Sequence, residues 1–261
     1  MVKFWDLLLI LLFFTVQPSL TYGQDIEPCR LVIAPTAGSL PSKTYVLETV
    51  LFDGGGVAQR VSVGLTELVD IGVSYSGSNI IGSNSIVWQP HVGAQISIRV
   101  IEESMRNPGF SIGFDSQGVG QYIPGKNLNR FRTKSKGAYL VMSRNYSMLG
   151  DLGVHGGVNY SFEYDDGDKD PSFWIGIDKN IGNSIDVCCE YDLATNDNED
   201  KGITSDRGYL NSAVKLNINN AFTLEFDLQN ILRNAKKDSA GNTQDRPEPS
   251  RELRFYYRAV F

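Results

Sequence analysis

Apolar and polar residues alternate with a period of two along most of this chain. From Phe222 the apolar set Phe222, Leu224, Phe226 and Leu228 is interleaved with Thr223, Glu225, Asp227 and Gln229, which puts every apolar side chain on one face of an extended strand. Leu210, Val214, Leu216 and Ile218 alternate in the same way with Asn211, Lys215 and Asn217, and Val154, Val158, Tyr160 and Phe162 with His155, Asn159, Ser161 and Glu163. The pattern recurs in Val92, Ala94, Ile96, Ile98 and Val100 against Gln95, Ser97 and Arg99, and in Ile185, Val187, Cys189, Tyr191 and Leu193 against Asp186, Glu190 and Asp192. No helical period competes over a comparable length. The alternation predicts twelve strands, at about 44–52, 58–65, 69–77, 91–102, 109–115, 137–146, 151–163, 172–179, 184–193, 208–218, 221–231 and 251–261. Most have the roughly 9 to 11 residues that a tilted strand needs to cross a hydrocarbon layer.

The connections alternate in length. Short links fall at 66–68, 147–150, 180–183 and 219–220, whereas longer polar ones follow the odd-numbered strands, at 118–136, 164–171, 194–207 and 232–250. Short turns at one rim and long loops at the other are the layout of an outer-membrane barrel, with periplasmic turns and extracellular loops. Two links depart from it: Gly54-Gly55-Gly56 is short on the long-loop side, and 103–108 is of middling length on the short-turn side. The fold class expected is all-β, an antiparallel transmembrane β-barrel, closed because lipid cannot satisfy an open sheet edge. Tyr75, Tyr146, Tyr164, Phe173, Tyr209 and Tyr257 lie near strand ends and are expected in the interfacial aromatic girdles. A secreted β-sandwich, whose apolar face would be its core, is the competing class.

The N-terminus supports export. Lys3 precedes an apolar run from Leu7 to Val16, Gln17-Pro18-Ser19 breaks it, and Thr21 and Gly23 supply small residues at a cleavage site. Residues 1–23 therefore read as a signal peptide, 24–43 as an N-terminal periplasmic segment and 44–261 as the barrel, in the outer membrane of a Gram-negative bacterium. An uncleaved anchor is the alternative, since Asp6 offsets Lys3. Composition closes other routes: 41% hydrophobic residues exclude disorder, 3 cysteines are too few for a disulfide scaffold, and a net charge of -6 does not suit nucleic acid. The last strand alternates Leu253, Phe255, Tyr257, Ala259 and the terminal Phe261 with Arg254, Tyr256 and Arg258. It resembles the C-terminal recognition strand read by the barrel-assembly machinery, with Ala259 where an aromatic is usual. Phe255, Tyr257 and Phe261 are thus the expected assembly signal. A chain lacking Phe261 is expected to reach the outer membrane at a much reduced level, measured in membrane fractions; a normal level would refute the signal.

Charged residues are expected to face the lumen: Asp70, Arg99, Asp115, His155, Glu163, Asp178, Asp186, Glu190, Asp192, Lys215, Glu225, Asp227, Arg254 and Arg258. They line a narrow aqueous pore, or they pair across the lumen and plug it. The loop 118–136 carries Lys126, Arg130, Arg132, Lys134 and Lys136 without an acid, so it binds anionic lipopolysaccharide or polymer, folds inward as a constriction, or is a mobile basic loop. His91 and His155 are the only histidines, and no Gly-x-Ser-x-Gly elbow occurs, so no catalytic residue, metal or cofactor is expected. The run Asp165-Asp166-Gly167-Asp168-Lys169-Asp170 lacks calcium-loop spacing and reads as a solvated loop. Cys188 and Cys189 point to opposite faces, leaving Cys29 as a partner for either, with unbonded thiols the expected state.

Pro35-Thr36-Ala37-Gly38, Gly113-Phe114-Asp115-Ser116-Gln117-Gly118, the stretch from Ser135 to Tyr146 and His155-Gly156-Gly157-Val158-Asn159-Tyr160 resemble a group of bacterial outer-membrane barrels distantly similar to the YjbH type, linked to exopolysaccharide production. The resemblance spans roughly residues 35–231. It implies a barrel and polysaccharide-export partners, and it assigns no catalytic residues. The function expected is a passive channel or export-associated pore for small polar or anionic solutes or polysaccharide, against a plugged structural or surface-interaction barrel. Membrane lipid, lipopolysaccharide and the assembly machinery are the expected partners, with no role for nucleic acid.

Overall fold

The computed structural model describes residues 28–125, 128–147, 151–182, 184–198, 203–204, 207–234 and 249–261. The proposed signal peptide and Lys126 lie outside them. The strands are β1 (Thr44–Phe52), β2 (Gly56–Gly64), β3 (Val69–Ser78), β4 (Val87–Trp88), β5 (Gly93–Ile101), β6 (Gly109–Asp115), β7 (Val119–Ile123), β8 (Arg130–Thr133), β9 (Gly137–Ser147), β10 (Asp151–Tyr160), β11 (Ser172–Ile181), β12 (Ile185–Asp192), β13 (Tyr209–Asn217), β14 (Phe222–Gln229) and β15 (Ser250–Val260). Twelve of them form one closed antiparallel barrel in chain order, interrupted only by β4, β7 and β8. Closure is made by β1 against β15, from Thr44 opposite Val260 to Leu51 opposite Leu253.

The barrel is inverted relative to a soluble protein. Val73, Ile96, Leu140, Ile175, Val214, Phe226 and Phe255 are exposed on the outer face, while Ser97, Ser111, His155, Glu190, Asn211, Glu225 and Arg254 are buried within. Such a belt is stable only against lipid, so this is a transmembrane barrel. The start of β1, the end of β15 and the links at 65–68, 102–108 and 218–221 share one rim, and the long loops share the other. Tyr75, Tyr146, Tyr164 and Phe173 are exposed as girdle residues should be. Tyr257 packs on Phe222 with ring centroids 4.9 Å apart. Tyr209 corrects the girdle expectation: it lies on the inward register of β13 and is buried, its hydroxyl donating to Asp197 at 2.9 Å.

Two features had no sequence signal. The loop after β6 carries the β7–β8 hairpin, with Tyr122 edge-on to Phe131. The segment expected to lie beneath the barrel, 24–43, has its described part at residues 28–40 inside the wall: Leu31, Val32, Ala34, Ala37 and Leu40 are buried there. Val32 packs on inward Cys188 and Ala213, and Ala34 and Ala37 on inward Tyr139, Val141 and Trp174. Glycines in the wall make the room. A β-carbon at Gly176 would lie 2.4 Å from Leu31 Cδ1, and one at Gly157 would lie 2.3 Å from Trp174 Cζ2.

Candidate functional site

Polar chemistry is concentrated in the lumen, and the N-terminal segment occupies it. Residues 29–36 make a tight turn, with Leu31 N–H donating to the Ala34 carbonyl and Thr36 N–H to that of Cys29, at 2.9 and 3.1 Å. The wall grips the backbone of this turn from both sides. The Glu190 carboxylate accepts from the amides of Val32, Ile33 and Ala34 at 3.0, 3.0 and 2.9 Å, and Lys215 Nζ donates to the carbonyls of Arg30 and Leu31 at 2.9 and 2.8 Å. Further along, Arg99 Nε and Ser111 Oγ donate to the Ala37 carbonyl, and Leu40 N–H donates to Asp70 at 3.1 Å. A backbone in the lumen must find partners for its amides and carbonyls. These side chains supply them.

Above the turn the charges pair. Arg254 donates to Asp227, Glu252 and Glu48 at 2.6, 2.8 and 3.0 Å, and Glu48 also pairs with Arg30. Arg60 meets Asp115 at 2.8 Å and Glu48 at 3.7 Å, and Lys215 lies 3.6 Å from Glu225. Glu225 accepts from the Tyr256 hydroxyl at 2.7 Å. Asp186 accepts from Asn180 and Asn217. Arg258 has its Nε buried. Of the residues read as lumenal, Asp70, His155, Glu190, Asp192, Glu225, Asp227 and Arg254 are buried, and Glu163 stands at the long-loop mouth. Sequence reasoning missed Glu48, Arg60 and Glu252. Glu48 sits in β1, where inward Val46, Val50 and Phe52 are as apolar as outward Leu47 and Leu51, so alternation could not sort the faces.

Ser143, His155 and Asp178 stand in the order of a nucleophilic relay, with His155 Nδ1 2.7 Å from Ser143 Oγ and Nε2 2.5 Å from Asp178 Oδ1. The serine is already committed, since its Oγ accepts the Ala37 N–H at 2.8 Å. The cavity beside it, lined by Arg99, Asn145 and Gly38, has about 10 Å³, the space of one water. The relay ties the N-terminal segment to the wall.

Among the described residues the long-loop rim carries a lid of paired charges, which bears on two sequence expectations. Arg130 is fully buried between Asp166, at 2.8 Å, and Asp197, at 2.7 Å. Burial alone would pull its guanidinium down, but Asp197 and Asp166 hold it above the ordinary value. Lys134 donates to Asp166 at 2.9 Å, and Lys136 pairs with Asp192 at the top of β12. The basic loop thus spends Arg130, Lys134 and Lys136 on internal pairs, and Arg132 is half-buried. The acidic run is only partly solvated: Asp165, Gly167, Lys169 and Asp170 are exposed, whereas Asp166 and Asp168 are buried and Asp168 accepts from Asn198 N–H. Glu163 anchors the hairpin by accepting from the amides of Phe131 and Ser135, and burial pushes its carboxyl above the usual range. No disulfide joins Cys29, Cys188 and Cys189.

Fold and lumen together define a closed transmembrane barrel filled from within. No family model matches the chain, and no curated protein matches it. Among solved structures it is similar to the KdgM porin, with 11% identity over 84% of this chain and 99% of that one and a TM-score of 0.48. It is similar also to the NanC porin, with 9% identity over 83% and 99% and a TM-score of 0.46, and to Omp33 of Acinetobacter baumannii, with 9% over 85% and 100% and a TM-score of 0.45.

Proposed function

We propose that the protein is an outer-membrane barrel held closed by its own N-terminal segment, with a structural or surface-interaction role and without catalysis. One observation carries this reading: residues 28–40 fill the lumen with their backbone bonded to Glu190, Lys215, Asp70, Arg99 and Ser111. The exposed apolar belt supports residence in the membrane, and loop length supports a periplasmic short-turn rim and an extracellular lid. An anion-attracting field from the basic loop has no support in the paired lid. Polysaccharide export rests on the sequence resemblance alone.

Passage of small anionic solutes is the second reading. It rests on a cavity of about 40 Å³ between Arg30 of the N-terminal segment and the wall, lined by Arg60 and Arg254 together with their partners Glu48 and Glu252. Swelling of proteoliposomes in iso-osmotic neutral and anionic monosaccharides separates the two. The closed-barrel reading expects rates equal to those of empty liposomes. Faster swelling, above all in the anionic sugar, would replace it with the channel.

A further inference from the structure

No Asp, Glu, Lys or Arg occurs between Ile71 and Ile98. This stretch holds most of β3 and of β5, without Asp70 and Arg99 at their short-turn ends, and the whole connection between them at the long-loop rim, where the other long loops are charged. The connection folds back on the wall. Its strand β4 pairs Trp88 with Gly77 and Val87 with Ser78, and Ile81 N–H donates to the Gly55 carbonyl at 2.9 Å. Gln89 turns inward, accepting from the Ser76 hydroxyl at 2.6 Å. Tyr75 and Trp88 stack with ring centroids 5.6 Å apart, and Ile81, Ile86 and Val92 are exposed on the same connection, together with Ser83, Asn84, Ser85 and His91. Ile81 is 61% exposed and Val92 63%. Below Tyr75 the same outward column continues through Val73 and Ile71.

We propose that residues 79–92 are a lipid-facing surface, an apolar rise of the barrel wall whose partner is the acyl region of the outer leaflet. The reasons are continuity and charge. The patch meets the lipid-facing face of β3 through the Tyr75–Trp88 stack, and it carries no Asp, Glu, Lys or Arg to hold it in the headgroup layer, its exposed polar members being Ser83, Asn84, Ser85 and His91. Water would leave a contiguous apolar patch unsatisfied. Lipid covers it with the same contacts that cover the belt. The membrane is then met asymmetrically: the wall is taller at β3–β5, while the charged lid ends the apolar surface lower over β9–β13. The inference rests on the outer-membrane reading above.

The test places a tryptophan at Ile81 in a Trp88→Phe background, with Ile175→Trp in the β11 belt as the reference, in proteoliposomes whose lipids are brominated at shallow acyl positions. Trp174 is buried in the lumen and supplies a constant background. The proposal expects lipid quenching at position 81 comparable with that at 175, and acrylamide quenching several-fold below that of free tryptophan. Quenching by acrylamide but not by lipid would place the loop in water and overturn it. Protection from both would mean that protein, such as a second copy, covers the patch, and would overturn it equally. Failure at position 175 would instead remove the membrane reading itself.

Discussion

Arg254→Met is expected to be among the most damaging single substitutions in the barrel. The guanidinium is buried among Asp227, Glu252 and Glu48, at 2.6, 2.8 and 3.0 Å. Glu48 keeps Arg30 and Arg60, whereas Asp227 and Glu252 form ion pairs with Arg254 alone among the described residues. Removing one partner of a buried pair typically costs about 3–5 kcal/mol because the remaining charge is left uncompensated. For a chain of this size that is a fall of about 10 °C or more in the unfolding temperature, read as the temperature at which the folded band disappears on gels. Neutralising the stranded acids in the triple variant Arg254→Met, Asp227→Asn, Glu252→Gln is expected to restore most of it. An unchanged single variant would mean that the cluster is hydrated and contributes little.

Deleting residues 28–40 is expected to turn a silent barrel into a conducting one. The segment is held by groups that would survive its loss: Glu190, Lys215, Asp70, Arg99 and Ser143 belong to the wall. Hydrogen bonds to such charged groups are worth about 1.5–3 kcal/mol each when intact, so the segment stays seated in the native chain. Once it is gone the same side chains can be hydrated, because they are already polar and now face open space. The Gly176 site that accommodates Leu31 and the apolar contact of Val32 with Cys188 and Ala213 are emptied as well. The wall itself keeps every strand pair, since no barrel strand is contributed by residues 28–40.

The barrel was legible because lipid imposes one rule on every strand. Strands at Thr44–Phe52 and Gly109–Asp115 begin and end where the alternation places them. Inward placement of Glu190, Lys215 and Asp227 follows from the same parity. Pairing of the acids of β14 with the arginines of β15 was legible as a kind of contact, and Glu252 lies two residues from Arg254 on one face of β15, but the bond of Arg254 to Asp227 depends on the register of β14 against β15, with Glu225 opposite Arg254 and Glu252 opposite Asp227, and period two carries no register. The N-terminal segment was illegible for a different reason: Pro35, Ala37 and Gly38 have no periodicity, and their positions are set by wall side chains distant in sequence. The lid hid behind composition, because five cations in one loop look unpaired until Asp166 and Asp197 fold over from two others. Tyr209 shows the cost of reading strand ends by residue type, as its own alternation with Leu210 already pointed it inward.

The central claim is that residues 28–40 close the lumen, and planar-bilayer recording tests it most directly when the intact chain and the chain lacking those residues are measured side by side. The closed-barrel account predicts no steps above background for the intact protein and discrete, reproducible steps for the shortened one. Steady conductance of the intact protein, unchanged by the deletion, would contradict it.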